Sequence, residues 1–455
     1  MSNYITIDRD QTLLLPPDIR DWVPKDDLVH FIITAVDSMD SSLFRLNKRA
    51  RGCEEYPPPM MLSLLIYSYA NGIFSSRKIE RATYRDIGVR YLTGNTHPDH
   101  DTICKFRRDN FNLVAECFVK VLELARELGV LRVGKVSVDG TKLKANASKY
   151  KNVRYDRAGE LIVQLKLEVQ ELLDKAEQQD REDSPDGQNL PEELSHKESL
   201  KRKLEAARKR IESRAQAQAE AERAEYESKV QRRDSRKGRS KGKQIKKPKP
   251  TPEPKTQDNL TDPDSRLMRK NKRNAFEQSF NGQAVVDADG SQLILGTRIT
   301  QCPSDRNELV HDIQAIPESI GCPEVVLADN GYLCESQVAE LQEKQNIEVY
   351  VSVGSEDKYF RRKHDFRPSS KKEKKPPRIR STFVKAMKEK MCTEKAKEIY
   401  RLRKQTVEPV FGIIKKQMGF NQFFLRGLEK VNGEWKLIAL AYNFKRLWNI
   451  QLAES

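Results

Sequence analysis

Three carboxylates stand where they could serve a hard divalent cation: Asp139 in VSVDGTKLKANAS, Asp329 in VVLADNGY and Glu408 in RKQTVEPVFGIIKK. Magnesium takes oxygen ligands and keeps several waters, so a few acids suffice to hold it. Two such ions about 3.5–4 Å apart activate a water or hydroxyl and stabilise the leaving oxygen of a phosphodiester. Three acids brought together without a cation repel one another and raise at least one pKa. Taken singly, Asp139 and Asp329 also read as turn residues, as Asp289-Gly290 does, and Glu408 as a solvated helix residue.

The elements that must position these acids follow from patterning. Asp139 ends an alternating run (Lys135, Val136, Ser137, Val138) and Asp329 a buried-type run (Val325, Val326, Leu327, Ala328), which places both at carboxyl ends of strands. Glu408 lies in a mixed apolar and basic stretch, about 385–420, that predicts helix. A seven-residue spacing drifts by only about 20° on a helix, so Arg401, Glu408 and Lys415 share a face, joined by Lys404. Pro409 lacks a backbone donor and disfavours helical geometry at Glu408, which predicts a kink or a restart there. Strands are predicted over 136–144, 276–287, 292–300, 324–329 and 347–353, with helices after Ser304 and Cys334. Such alternation calls for a sheet covered by helices, with ligands gathering beyond strand carboxyl ends.

Upstream, to about Arg132, the chain reads as helices. Met60, Met61, Leu64, Leu65 and Ser68 form one stripe. Asp101-Thr102 is placed to cap a helix over ICKFRRDNF, with Ile103 and Phe106 facing in and Lys105, Arg107 and Arg108 facing out. That basic face suits DNA docking or plain solvation. Between 146 and 273, Ile162, Leu165, Val169, Leu172 and Ala176, then Leu200, Leu204, Ala207, Ile211 and Ala215, predict two helices broken at Ser184-Pro185-Asp186-Gly187. They form a helical hairpin or a dimer seam. RRDSRKGRSKGKQIKKPKPTPEPK is too charged and proline-rich to bury a core and reads as disordered. KYFRRKHDFRPSSKKEKKPPRIR is a candidate DNA clamp or a solvated loop, in which Tyr359, Phe360 and Phe366 could stack on unpaired bases.

Composition agrees with a polyanionic partner: 83 Lys+Arg oppose 67 Asp+Glu, for a net charge of +16 and a pI near 9.3. The seven cysteines carry no CxxC pair or zinc spacing, which points to reduced thiols, and the six histidines lack ligand spacing. No apolar stretch reaches the roughly 20 residues of a spanning helix, and acids interrupt the start of the chain. A soluble cytoplasmic protein without a membrane partner is expected.

With DGTKLKANAS, DPDSRLM, FEQSFNGQAVVD, LADNGY and VEPVFGIIKK in that order, preceded by YPPPMMLSLLIYSYANGIFSSRKIERATYRDIGVRYLTGNTHPDHDTICKFRR, the chain resembles the DDE-type insertion-sequence transposases of the IS-four-like and IS-five-like superfamily. The likeness covers nearly the whole length. It implies an α/β, ribonuclease-H-like core over 133–146 and 274–455, a mixed sheet with flanking helices. A helical amino-terminal DNA-binding domain (1–132) and an insertion with a helical hairpin and a basic disordered tail (147–273) complete it. Asp139, Asp329 and Glu408 would bind Mg²⁺, or Mn²⁺ in its place, to cleave and join DNA. The partners implied are double-stranded DNA, both terminal inverted repeats and target, and further copies of the chain assembled on DNA. Lys415 matches the basic residue that follows the family glutamate; Tyr400 falls one residue early, and Lys404 stands where arginine is usual, so Arg401 or Arg403 takes that role. Arg401, Lys404, Lys415, Lys105, Arg107 and Arg108 are the DNA-contact candidates. A DNA-binding repressor or remnant, and a ribonuclease-H-like nuclease that does not join strands, are the alternatives.

Overall fold

A computed structural model describes residues 18–40, 44, 55–182, 190–235, 245–269, 273–354 and 381–454. The break at Ser184–Gly187, residues 236–244 of the lysine-rich run that starts at Arg232, and the 358–380 stretch with Tyr359, Phe360 and Phe366 lie outside the described residues. Two compact units are present, one of Met1–Leu143, Asn281–Leu425 and Glu429–Ser455, the other of Lys144–Phe280 and Arg426–Leu428.

The strands among the described residues are β1 (Lys135–Lys144), β2 (Asn152–Arg154), β3 (Gln257–Asn259), β4 (Arg266–Met268), β5 (Glu277–Asp287), β6 (Ile294–Thr300), β7 (Val325–Ala328) and β8 (Glu348–Val351). The main sheet runs β4-β5-β1-β7-β8, with β6 also paired to β5. β1, β7 and β8 are parallel, whereas β5 and β6 are antiparallel. β5 also runs antiparallel to β1, since Ala288 N–H donates to the Lys135 carbonyl near one end and Ala145 N–H to the Gln278 carbonyl near the other. Val136, Val138, Phe280, Ala284, Val326 and Leu327 are buried, as expected of strands covered on both faces.

Helices α1 (Leu28–Asp37), α2 (Pro58–Ala70), α3 (Ser76–Arg85), α4 (Ile87–Leu92), α5 (His100–Asp109) and α6 (Phe111–Glu127) precede β1. Asp27, Asp86 and Asp99 cap α1, α4 and α5 with side-chain oxygens on otherwise orphaned amides. The cap of α5 is thus Asp99, two residues before the expected Asp101. Arg107 is a larger correction. Its side chain turns inward, 4% exposed, and donates to the Tyr69 hydroxyl at 2.8 Å and the Phe74 carbonyl at 2.9 Å. Tyr69 in turn meets Glu434, which is fully buried and also accepts from the Phe424 and Leu425 amides.

In the unit that holds β6, β7 and β8, β6 is followed by α9 (Leu309–Ile313), α10 (Glu335–Gln345), α11 (Thr382–Cys392), α12 (Glu394–Gly412) and α13, which begins at the unit boundary (Leu428–Glu454). The β6 edge is closed by α13: Asn432 accepts from Ile299 N–H, and Asn443 both accepts from and donates to the backbone of Ile294. An exposed edge would be a template for foreign strands, and these amides remove it. Trp435, fully buried, donates to the Gln283 carbonyl at 2.9 Å. The stretch expected as one helix breaks at Thr393, whose hydroxyl caps α12. No break occurs at Pro409. The carbonyl four residues earlier, on Gln405, accepts from Gln292 Nε2 at 2.7 Å in place of the missing amide, and the irregularity appears later as a π turn, Ile413–Gln417.

In the other unit, β2 and β3 pair antiparallel beneath α7 (Tyr155–Glu182) and α8 (Leu190–Asp234). Glu168 meets Lys197 at 2.6 Å and Tyr155 donates to Glu212 at 2.7 Å, so the helices run antiparallel. Ala158, Ile162, Leu165, Leu204 and Ala207 form their seam, while Leu200, expected on it, is 42% exposed. Arg210 and Arg214 both reach the buried Asp258, at 2.7 and 2.5 Å. No described helix is long and apolar enough to cross a membrane.

Candidate active site

The register of the parallel pair β1–β7 sets two of the acids side by side. Ser137 stands opposite Leu327, so two residues further on, Asp139 and Asp329 project from one face at the same level. Asp329 directly follows β7 and accepts from Gly331 N–H at 2.7 Å. Asp139 does not end its strand as expected: β1 continues to Lys144. The level is nonetheless a strand end, because the parallel partner stops there.

The third acid comes from α12. Along this helix Ala396, Tyr400, Arg403, Val407 and Val410 are buried at three- and four-residue spacing. Ala396 and Tyr400 pack on Leu327 and Tyr350, and the Tyr400 hydroxyl donates to the Ala328 carbonyl at 3.1 Å, one residue before Asp329. That packing carries Arg403 over the sheet end. Its Nη2 lies 3.4 Å from Asp139 Oδ2 and 3.9 Å from Asp329 Oδ2, and its Nη1 lies 3.4 Å from Glu408 Oε1. One guanidinium, 8% exposed, thus touches three acids whose side chains are 20%, 41% and 55% exposed.

Burial pushes the Asp139 carboxyl up to about 7; Arg403 opposes that rise and the neighbouring Asp329 adds to it. Although burial works against its charge, Arg403 is held above the ordinary guanidinium value by Asp139 and the other acids. Its Nε is buried without a hydrogen-bond partner among the described residues. No set of three His, Cys, Asp or Glu among those residues stands ready to grip a metal, because the acids are arranged around the arginine. Their chemistry nevertheless fits magnesium: all are hard oxygen donors, and the pocket already favours a positive group.

The other expected contacts divide by burial. Lys415 Nζ donates to the Thr141 hydroxyl and, at 3.2 Å, to the Lys142 carbonyl, on β1 just past Asp139. Arg401 and Lys404 are exposed on α12, as are Lys105 and Arg108 on α5. Arg107, expected to face out with them, is the inward-turned residue above. From the sequence, Arg403 is offered only beside Arg401, as a stand-in for the arginine whose place Lys404 takes. Its place in the buried stripe of α12 was the signal, since a charged residue among apolar ones at helical spacing must meet buried partners. Asp305, beside Asp139 and Asp329, was not foreseen.

A family model described as "Transposase domain (DUF772)" matches residues 17–109, and one described as "Transposase DDE domain" matches residues 360–448. The second span contains Arg403, Glu408 and Lys415. No curated protein and no solved structure matches the chain.

Proposed function

Because the chain belongs to the DDE-type transposases, we propose that it binds the ends of an insertion sequence and performs Mg²⁺-dependent DNA cleavage and strand transfer with Asp139, Asp329 and Glu408. The observation that carries this reading is the meeting of three acids from β1, the end of β7 and α12 at one buried guanidinium. The sheet order, with β5 and β6 antiparallel on one side of β1 and β7 and β8 parallel on the other, supports a ribonuclease-H-like core.

Mg²⁺, or Mn²⁺ in its place, would be held by the three acids and would supply activation of the attacking oxygen and stabilisation of the leaving one. The chain's own residues do the rest. Asp139 must shed its proton before it can serve a cation. Arg403 is placed to turn its charge from the acids toward a phosphate, and arginine's planar fork suits that contact. Lys415, fixed on β1, and the exposed Arg401 and Lys404 would position the backbone around the scissile bond. Lys105 and Arg108 on α5 would bind further phosphates, within a helical amino-terminal DNA-binding region, while 147–273 is an insertion into the core. Assembly of further copies on DNA, in the cytoplasm at the nucleoid, completes the proposal.

The test is a strand-transfer assay with the full chain, DNA bearing the sequences that flank its reading frame, and Mg²⁺. Cleaved ends joined to target DNA are expected, and a chelator should abolish them. Binding without cleavage would identify a repressor, and cleavage without joining a nuclease.

A further inference from the structure

Of the three basic residues expected to face DNA from α5, Arg107 is buried and Arg108 meets Asp109 at 3.3 Å. A stronger face lies on α3 (SRKIERATYR), which packs against α5 within the same unit. At about 100° per residue, Arg77, Lys78, Arg81, Tyr84 and Arg85 fall within an arc of about 120°, and all five are exposed. The other side of the helix, with Ile79, Ala82 and Thr83, is buried. These cations therefore form one outward face of a docked helix.

No acid offsets them. Glu80 is the one acid on α3, and it turns to α5, where His100 Nδ1 lies 2.9 Å from its Oε2. Asp86, just past the helix, caps α4 with its side chain. Among the described residues, Arg77, Lys78, Arg81 and Arg85 make no side-chain hydrogen bond or ion pair. Like charges four apart on a helix, as Arg77 and Arg81 or Arg81 and Arg85 are, destabilise it, so the face is unfavourable until a polyanion covers it. Tyr84 stacks on His97, with ring centroids 3.8 Å and planes 13° apart, which fixes an aromatic ring among the arginines.

We propose that α3 is the helix that enters the major groove at the insertion-sequence end, with Arg77, Arg81 and Arg85 turned to base edges. The proposal rests on the end-binding reading above and adds to it the element that tells an end from other DNA. A helix of 10 residues is about 15 Å long and slim enough for a groove about 12 Å wide. The predominance of arginine matters, because its planar fork grips O6 and N7 of guanine together, and a lysine ammonium replaces that fork poorly. Lys105, on the neighbouring α5, is left to the flanking phosphates.

The experiment is equilibrium binding of the full-length chain to two duplexes of equal length at physiological salt. One bears the sequence that flanks the reading frame and the other the same bases scrambled. Wild type is compared with Arg77→Lys, Arg81→Lys and Arg81→Ala, with urea midpoints in parallel, which should not move because these side chains are exposed and unpaired. Each lysine variant keeps its charge and is expected to bind the end roughly 10-fold more weakly, within the range for a lost bidentate base contact. Its affinity for the scrambled duplex should stay within about twofold of wild type, and its salt dependence should not change. Arg81→Ala should weaken both duplexes and lower the salt slope by about one. An equal loss on both duplexes in the lysine variants overturns the proposal. So does wild-type affinity of those variants for the end, whether Arg81→Ala then weakens both duplexes alike, as a phosphate contact does, or neither, as a solvated face does. A wild-type chain that does not prefer the end overturns the end-binding reading itself, and the role of α3 with it.

Discussion

Replacement of Arg403 by Gln isolates the electrostatics of the site without metal or DNA. Each guanidinium–carboxylate contact at 3.4–3.9 Å is worth on the order of 4 kcal/mol at the effective dielectric of such sites, before desolvation is subtracted. Breaking a buried pair commonly costs about 3–5 kcal/mol because the remaining charge is stranded. Here the loss is limited by Asp139, which escapes by taking a proton. Arg403 lowers the pKa of Asp139, so its removal must raise that value above about 7. Below pH 7 Asp139 is already largely neutral in the wild type, and the variant should lose only about 1 kcal/mol through the partly exposed Asp329 and Glu408, whose pairs are screened by solvent. Above pH 7 the folded variant retains a proton that the folded wild type has shed. The loss should then grow by up to about 1.4 kcal/mol per pH unit. Urea denaturation of the metal-free protein at pH 6 and pH 8.5 measures both values, with roughly 1 kcal/mol expected at the lower pH and roughly 3 kcal/mol at the higher. An equal loss at the two pH values, or a variant more stable than wild type at pH 8.5, would refute the reasoning.

Two further expectations concern the scaffold. Arg107→Met should destabilise the protein by about 3 kcal/mol, because the buried Tyr69 hydroxyl and Phe74 carbonyl lose their charged donor and Glu434, whose carboxyl burial raises, loses the opposing charge of Arg107; a urea midpoint within error of wild type would contradict this. Asp312 is pushed up to about 7 by burial, against the pull of Arg298. Between its ordinary value and about 7 the folded state holds a proton that the unfolded chain has lost, so this contribution to stability is full at low pH and disappears as the pH rises to 7. Asp312→Asn should therefore flatten stability between pH 4 and 7, and an unchanged slope in denaturation across that range would exclude the assignment.

Much of the core was legible in the sequence because strands and amphipathic helices announce themselves by period. The runs before Asp139 and Asp329 placed both acids at strand carboxyl ends facing one crevice, and each main-sheet strand expected from patterning lies within a few residues of its observed bounds. What the period could not supply was tertiary partnership. A repeat counted from Glu408 selected the exposed Arg401 and Lys404, whereas the arginine that meets the acids lies on the adjoining buried stripe and reaches round with a long side chain. Arg107 reads as one of three basic residues until the Tyr69 hydroxyl and the Phe74 carbonyl, 38 and 33 positions away, supply its acceptors. Pro409 reads as a helix breaker until Gln292, 113 positions from Gln405, satisfies the carbonyl it leaves bare.

The most direct test of the three-acid site is end cleavage in Mg²⁺ by Asp139→Asn, Asp329→Asn and Glu408→Gln, measured beside equilibrium binding of the same end-bearing DNA. Each substitution is expected to reduce cleavage by at least about 100-fold, in keeping with the rate carried by positioning and metal chemistry, while end binding, spread over many phosphates, changes by no more than about twofold. Cleavage at the wild-type rate by any one of the three variants would contradict the assignment.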